Sequence, residues 1–330
     1  MLEMKTFQGE KAGPHFLITA GVHGDEFVPM LAVRDLIRRF SNDDELRRSL
    51  CGSITLVPVV NETAFARGHR CGEDGLDLAR TCPGQADGSV TERAAFELSV
   101  LIRKTDFYID LHTGGTELSV FPLAGYVLHR DRAILETQRE MAKAFNLPLV
   151  WGTSAELDGR SLSVARDAGV PAIYVEYLGG TAGCAEGQSK CVDGCLNVMS
   201  HLGFIDRESP ASVVEEIIED CRPESGHMQV CNPSPITGFF QPTVELGQDV
   251  DSGSILGTVS SVGGGDTREI AATQSGRVVV LRQFPRVNKG ETVGVIAERG
   301  HGERVFGAGQ INWNPCPTRL ALHWAKATRR

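Results

Sequence analysis

The chain lacks any apolar run approaching the ~18–20 residues that a membrane-crossing helix needs, so nothing in its 330 residues reads as a span. Basic charge is also short. Against 42 Asp and Glu stand 33 Lys and Arg, a formal net charge of -9, and the pI is near 5.5. That balance argues against nucleic acid or an anionic membrane surface as a main partner. The first ten residues have no apolar core of a signal peptide, which makes the cytoplasm the expected location. The nine cysteines, an odd number, show neither a dense disulfide framework nor the C-x-x-C spacing of structural zinc modules. The set reads as reduced, mostly packed thiols, and burial is expected for its tightest group, Cys184, Cys191 and Cys195.

A hydrophobic content of 41% is ample for a large buried core, and the length suggests two domains. From residue 14 to about 205, β-like apolar runs (16–20, 53–59, 107–111, 172–177) alternate with helical patterns (28–40, 91–103, 132–145). Short strands apolar on both faces, separated by amphipathic helices, indicate an α/β layer around a largely parallel or mixed sheet. Residues 210–223 read as a helix leading into a linker. From about 223 the helical period fades, and Gly and Pro punctuate β-like runs at 238–240, 255–259, 276–281 and 292–297. The expected division is therefore a catalytic α/β domain over 1–222 and a β-rich domain over 223–330, closed by an amphipathic helix at 318–330.

His23 and Glu26 form an H-x-x-E pair just beyond the first apolar strand, and His112 ends the strand at 107–111. Two imidazoles and a carboxylate, with a fourth position open to water, are the ligand set of a hydrolytic zinc site. In sheets of this kind ligands gather at the carboxyl ends of strands. His23, His112 and Glu176 all fall at or just beyond such ends, so one rim can collect them.

Between these strands run N-x-x-A-x-x-x-G-x-R (Asn61 to Arg70) and D-G-x-D-L-A-R (Asp74 to Arg80), the latter followed by Pro83-Gly84. A strand ending D-x-H (Asp110 to His112) and a Gly-Val-Pro strand (Gly169 to Glu176) come next. In this order the motifs resemble the succinylglutamate desuccinylase/aspartoacylase family of the zinc carboxypeptidase superfamily, over about residues 17–180. The resemblance implies a zinc-carboxypeptidase-like mixed sheet flanked by helices, with a smaller C-terminal β-rich domain. It also implies one Zn2+ per chain, bound by His23, Glu26 and His112. Glu176 is then the general base, and Asp110, on the same strand face as His112, is an acceptor for its imidazole or a strand-end contact. Arg70 would polarise the scissile carbonyl and stabilise the oxyanion. Arg80 would clamp a substrate carboxylate, with Arg160 as a further substrate-binding arginine.

The implied activity is a deacylase: an amidohydrolase that frees an N-acyl amino acid or related N-acyl amine of its acyl group. A carboxypeptidase-like hydrolase of short peptides and a non-catalytic metal-binding scaffold are the alternatives. One departure stands out. Ala79 occupies the place of the family's D-L-N-R amide and offers no side-chain donor, so the carboxylate-binding pattern does not transfer intact. The C-terminal part also resembles a biotinyl/lipoyl-like or barrel-like β-fold, yet its hairpin carries no lysine for modification. It is expected to be a wall or gate of the pocket, or a contact in a homo-oligomer. His69, beside Arg70, is a candidate for lining the pocket, and Asn61 is expected to be a turn residue.

Overall fold

The computed structural model describes residues 2–180, 184–223, 225–228 and 231–298. The helix expected at 318–330 lies outside the described residues. The first part of the chain runs β1 (Lys5–Gln8), β2 (Lys11–Ala20), α1 (Phe27–Asn42), α2 (Asp44–Ser49), β3 (Cys51–Val57), α3 (Glu62–Arg67) and α4 (Val90–Ile102). It continues through β4 (Phe107–His112), β5 (Leu118–Val127), α5 (Arg132–Phe145), β6 (Leu149–Thr153), α6 (Ser161–Ala168), β7 (Ala172–Leu178) and α7 (Ala185–His201) to β8 (Glu216–Glu219). The β-rich remainder comprises β9 (Gly238–Pro242), β10 (Asp249–Val250), β11 (Ile255–Ser261), β12 (Thr267–Ala271), β13 (Gly276–Arg282), β14 (Arg286–Val287) and β15 (Gly294–Ala297).

The main sheet follows the order β1-β3-β2-β4-β7-β5-β13-β10. Strands β3, β2, β4 and β7 are parallel, whereas β5 runs antiparallel to β7. This is the mixed α/β architecture expected, with a β-rich C-terminal part. The doubly apolar strands explain it. Phe16 and Ile18 of β2 face one side, where they meet Met30, Val33, Leu36 and Phe40 of α1. Leu17 faces the other and packs with Leu98 and Ile102 of α4. Alternation places successive side chains on opposite faces, so a strand buried on both must be apolar throughout.

Beyond β5 the sheet is shared. Residues 118–120 of β5 pair antiparallel with β13, and residues 123–127 pair parallel with β6 on the same edge. The C-terminal part thus splits: β10, β13 and β15 extend the main sheet, while β12, β11, β9 and β14 form a four-stranded sheet of their own.

Two sequence readings are corrected. Residues 210–223 hold no helix; they contain β8, which pairs parallel with β6. The β-branched pairs Val213-Val214 and Ile217-Ile218 suit an extended chain, and alternate burial of Glu216 and Ile218 completes the sheet edge. Asn146 pins its approach by accepting from Val213 N (2.8 Å) and donating to Ala211 O (3.0 Å). Among the described cysteines, seven are free thiols, but Cys221 is disulfide-bonded, which departs from an all-reduced set. No helix among the described residues is long and apolar enough to cross a membrane.

Candidate active site

Three strand ends and one helix start build the site. After β2 the chain turns at Gly21, whose φ of +69° suits glycine, and reaches His23. Gly24 packs so tightly on α3 that an added Cβ would lie 1.9 Å from the Ala64 carbonyl carbon. Glu26 is the residue from which α1 starts. His112 closes β4, and the parallel register sets it opposite Glu176 of β7.

These placements bring the three expected metal ligands together. His23 Nδ1 lies 2.7 Å from Glu26 Oε1, and His112 Nδ1 lies 3.0 Å from Glu26 Oε2. One ligand atom from each residue falls within 4.8 Å of the others. The remaining ring nitrogens are held from behind: His23 Nε2 is 3.1 Å from Asp77 Oδ1, and His112 Nε2 is 3.1 Å from Asp110 Oδ2. A carboxylate behind an imidazole fixes the tautomer that leaves the front nitrogen as a lone-pair donor. The donor set and its backing fit a divalent zinc-type ion.

The imidazoles and carboxylates of the cluster shift one another's titration. Burial alone would raise the Glu26 carboxyl, but His23 and His112 hold it far below the ordinary carboxylate range. His112 is pushed well up from its usual value, since Asp110 and Glu26 outweigh the cost of burying its charge. Asp110 is itself satisfied by Thr19 Oγ1 (2.9 Å) and by the Ser161 hydroxyl. Its position behind His112 decides between the two readings of this residue in favour of an imidazole acceptor.

Glu176 differs from these. Its Oε2 is buried with no hydrogen-bond partner, and burial pushes its carboxyl up to about 8 against the attraction of His112. A buried carboxylate without a partner is costly, and Glu176 holds one in the cavity wall.

All seven residues expected at the site (His23, Glu26, Arg70, Arg80, His112, Arg160 and Glu176) line one cavity. Arg70 donates from Nε to Asp77 Oδ2 at 3.0 Å. Arg80 donates to Ala79 O at 2.7 Å. Among the described residues Arg160 reaches only the Gly226 carbonyl, at 3.5 Å, and burial together with nearby Arg80 pulls it down to about 10. Two guanidiniums that repel each other while lining one cavity are chemically suited to an anion. The lining also includes the apolar side chains of Leu118, Val120, Val127, Met228 and Val280, two of which come from beyond residue 223.

His69 is not part of the lining; its Nδ1 accepts from Cys71 N in an exposed loop. Asn61 caps α3 through Ala64 N, as a turn residue should. Two residues had no role in the sequence reading. Asp77 ties His23 to Arg70, and its only signal was its place in the D-G-x-D-L-A-R motif. Tyr174 lines the cavity two residues before Glu176 on β7, so period-2 spacing alone would have placed it there.

The pattern described as the Succinylglutamate desuccinylase/Aspartoacylase catalytic domain matches residues 12–202, over half of the chain. The chain belongs to this family. It is 32% identical over 293 residues to the N-alpha-acetyl-L-2,4-diaminobutyric acid deacetylase of Halomonas elongata, covering 87% of this chain and 82% of that one. The succinylglutamate desuccinylase/aspartoacylase structure from Rhodobacter sphaeroides superposes with a TM-score of 0.78 at 26% identity, covering 90% and 88% of the two chains. The product-bound ectoine utilization protein EutE (DoeB) of Ruegeria pomeroyi gives 0.77 at 26% identity, covering 89% and 87%. Family members named for their reactions are deacylases, so hydrolysis of small N-acyl amino acids is the activity that membership supports.

Proposed function

We propose that the chain is a zinc-dependent deacylase that hydrolyses the amide of a small N-acyl amino acid. The observation that carries this reading is one cavity holding a His-Glu-His ligand set, an unpartnered buried carboxylate and an arginine pair. The Halomonas elongata relative, a deacetylase of an N-acetylated diamino acid, supports an acylated amino acid as the substrate class.

His23, Glu26 and His112 would hold the ion, which when bound lowers the pKa of water and polarises a carbonyl. The chain's own groups do the rest. Glu176 accepts the proton of the attacking water, because its raised pKa suits a base working near neutrality. Arg70, held by Asp77, stabilises the oxyanion that develops on the carbonyl. Arg80 and Arg160 take the substrate carboxylate, and the apolar wall excludes water from the acyl side. Glu176 then delivers its proton to the departing nitrogen, and a carboxylate and a free amine leave.

Elemental analysis joined to a substrate panel tests the proposal. N-acetyl-2,4-diaminobutyrate, N-acetylaspartate, N-succinylglutamate and dipeptides separate the readings. Zinc near one per chain with hydrolysis of an N-acyl amino acid is expected. Turnover confined to dipeptides would make it carboxypeptidase-like, and stoichiometric metal with no hydrolysis at all would leave a binding scaffold.

A further inference from the structure

We propose that Arg282, on the C-terminal strand β13, is a positioning residue for the metal site, acting through Glu117 on the loop that follows His112. The inference rests on the metal-site reading above and adds a determinant that lies outside the cavity.

The loop 113–117 leaves His112 and wraps the ligand set. Thr113 N donates to Glu26 Oε2 at 3.3 Å, and Thr116 N donates to Asp25 Oδ2 at 2.9 Å. Its middle is tied to the end of β7, through Gly114 N to Leu178 O (2.7 Å) and Gly180 N to Gly115 O (2.6 Å). Its far end is tied only by the C-terminal part among these contacts. Gln283 N and Phe284 N both donate to Glu117 O, at 3.1 and 3.2 Å. Arg282 Nη2 donates to Glu117 Oε2 at 3.2 Å, and Arg286 Nη2 donates to Oε1 at 2.7 Å.

Arg282 is built as a fixed element. Its side chain is 2% exposed, yet it carries a full charge. Nε donates to Thr292 O (3.0 Å), Nη1 to Arg286 O (2.9 Å), and Nη2 is shared between Glu117 and Glu291 (3.1 Å). Burying the guanidinium costs desolvation, although its acidic partners Glu117 and Glu291 stay 38% and 32% exposed. What the guanidinium adds is direction: its planar fork fixes where Glu117 sits. Through the loop, that fixes the amides of Thr113 and Thr116, which donate to Glu26 and to its neighbour Asp25. Partners one step removed from a metal ligand set its affinity, and Arg282 extends that chain across 165 residues of sequence.

The test measures zinc affinity of the full chain by competition with a chelator, alongside kcat, KM and melting temperature. Glu117→Gln keeps shape and removes charge at a partly exposed position, so it folds even if buried Arg282→Lys does not. Arg139→Gln, which breaks a pair with Glu219 remote from the loop, is the structural control. Each of the first two variants is expected to weaken zinc binding about tenfold, the lower end for an outer partner, and to lower kcat more than it raises KM. The control should lose melting temperature with zinc affinity intact. Wild-type zinc affinity and kcat in Glu117→Gln, or an equal zinc loss in the control, overturns the proposal. If wild-type protein takes up no zinc, the metal-site reading itself fails and the latch has nothing to position.

Discussion

His23 and Asp77 share a hydrogen bond through the imidazole's far nitrogen, with Nε2 3.1 Å from Oδ1. This leaves Nδ1 turned toward Glu26. The other carboxylate oxygen of Asp77 takes Arg70 Nε at 3.0 Å, so one side chain holds both a proposed metal ligand and the arginine proposed for the oxyanion. Burial opposes its charge, but His23 and Arg70 hold the carboxyl well below the usual range. Asp77→Asn keeps the volume and removes the charge. It should weaken zinc about 10–100-fold, as loss of an outer carboxylate does, and lower kcat by at least as much. Chelator competition and steady-state kinetics measure both; values within twofold of wild type would sink this role.

Glu176→Gln separates chemistry from metal binding. The amide fits the same space, and Oε2 has no partner to lose. Turnover should fall by roughly 10²–10⁴, the range for removing a general base, while zinc content stays at the wild-type level. The pH profile supplies the sign. A base works only when deprotonated, so wild-type kcat/KM rises with pH through the Glu176 pKa and levels off above it. Burial places that carboxyl near 8 in the metal-free chain, and a bound cation moves the limb lower. In Glu176→Gln the residual rate should lose this limb; an unchanged profile would assign it to another group.

Much of this fold is legible locally. The strands β2, β3, β4 and β7 announce themselves as apolar runs too short for helices, and the reading of a helix at 132–145 coincides with α5. What is not legible is nonlocal. Pro122 interrupts the pattern of β5, and the sheet accommodates it at an irregularity between Val120 and Leu123. Nothing in any local period links His23 to Asp77, 54 residues on, or residues 118–120 to β13. The ordered motifs compensate at the site, because they encode which loops must meet. They are silent on Arg282, which lies outside every one of them.

Arg160 tests anion recognition. Its guanidinium is partly buried near Arg80 and, among the described residues, makes one long contact to a carbonyl, so a substrate carboxylate would be a stronger partner. A hydrogen bond to a charged group contributes about 1.5–3 kcal/mol. Arg160→Gln should therefore raise KM about 10–100-fold with a smaller change in kcat. The wild type should also prefer an N-acetyl amino acid over its carboxamide, and the variant should lose that preference. A variant that still discriminates as the wild type does would place the carboxylate elsewhere in the cavity.

Gly194 tests the packing beneath the site. It sits in α7 where α5 crosses, and an added Cβ would lie 2.3 Å from the Phe145 ring. Two effects oppose each other in Gly194→Ala. Helix propensity favours alanine by about 1 kcal/mol, whereas overpacking a close contact costs about 1–3 kcal/mol. Phe145 is 1% exposed and cannot swing into solvent, so overpacking should win. The expected net loss is up to about 2 kcal/mol, read by denaturant titration, with kcat and zinc content of the folded protein unchanged. Phe145→Leu made in the same chain relieves the clash, so the two changes should couple: the second must cost less in Gly194→Ala than in wild type. Strict additivity, or a Gly194→Ala protein more stable than wild type, would mean the helices do not approach this closely.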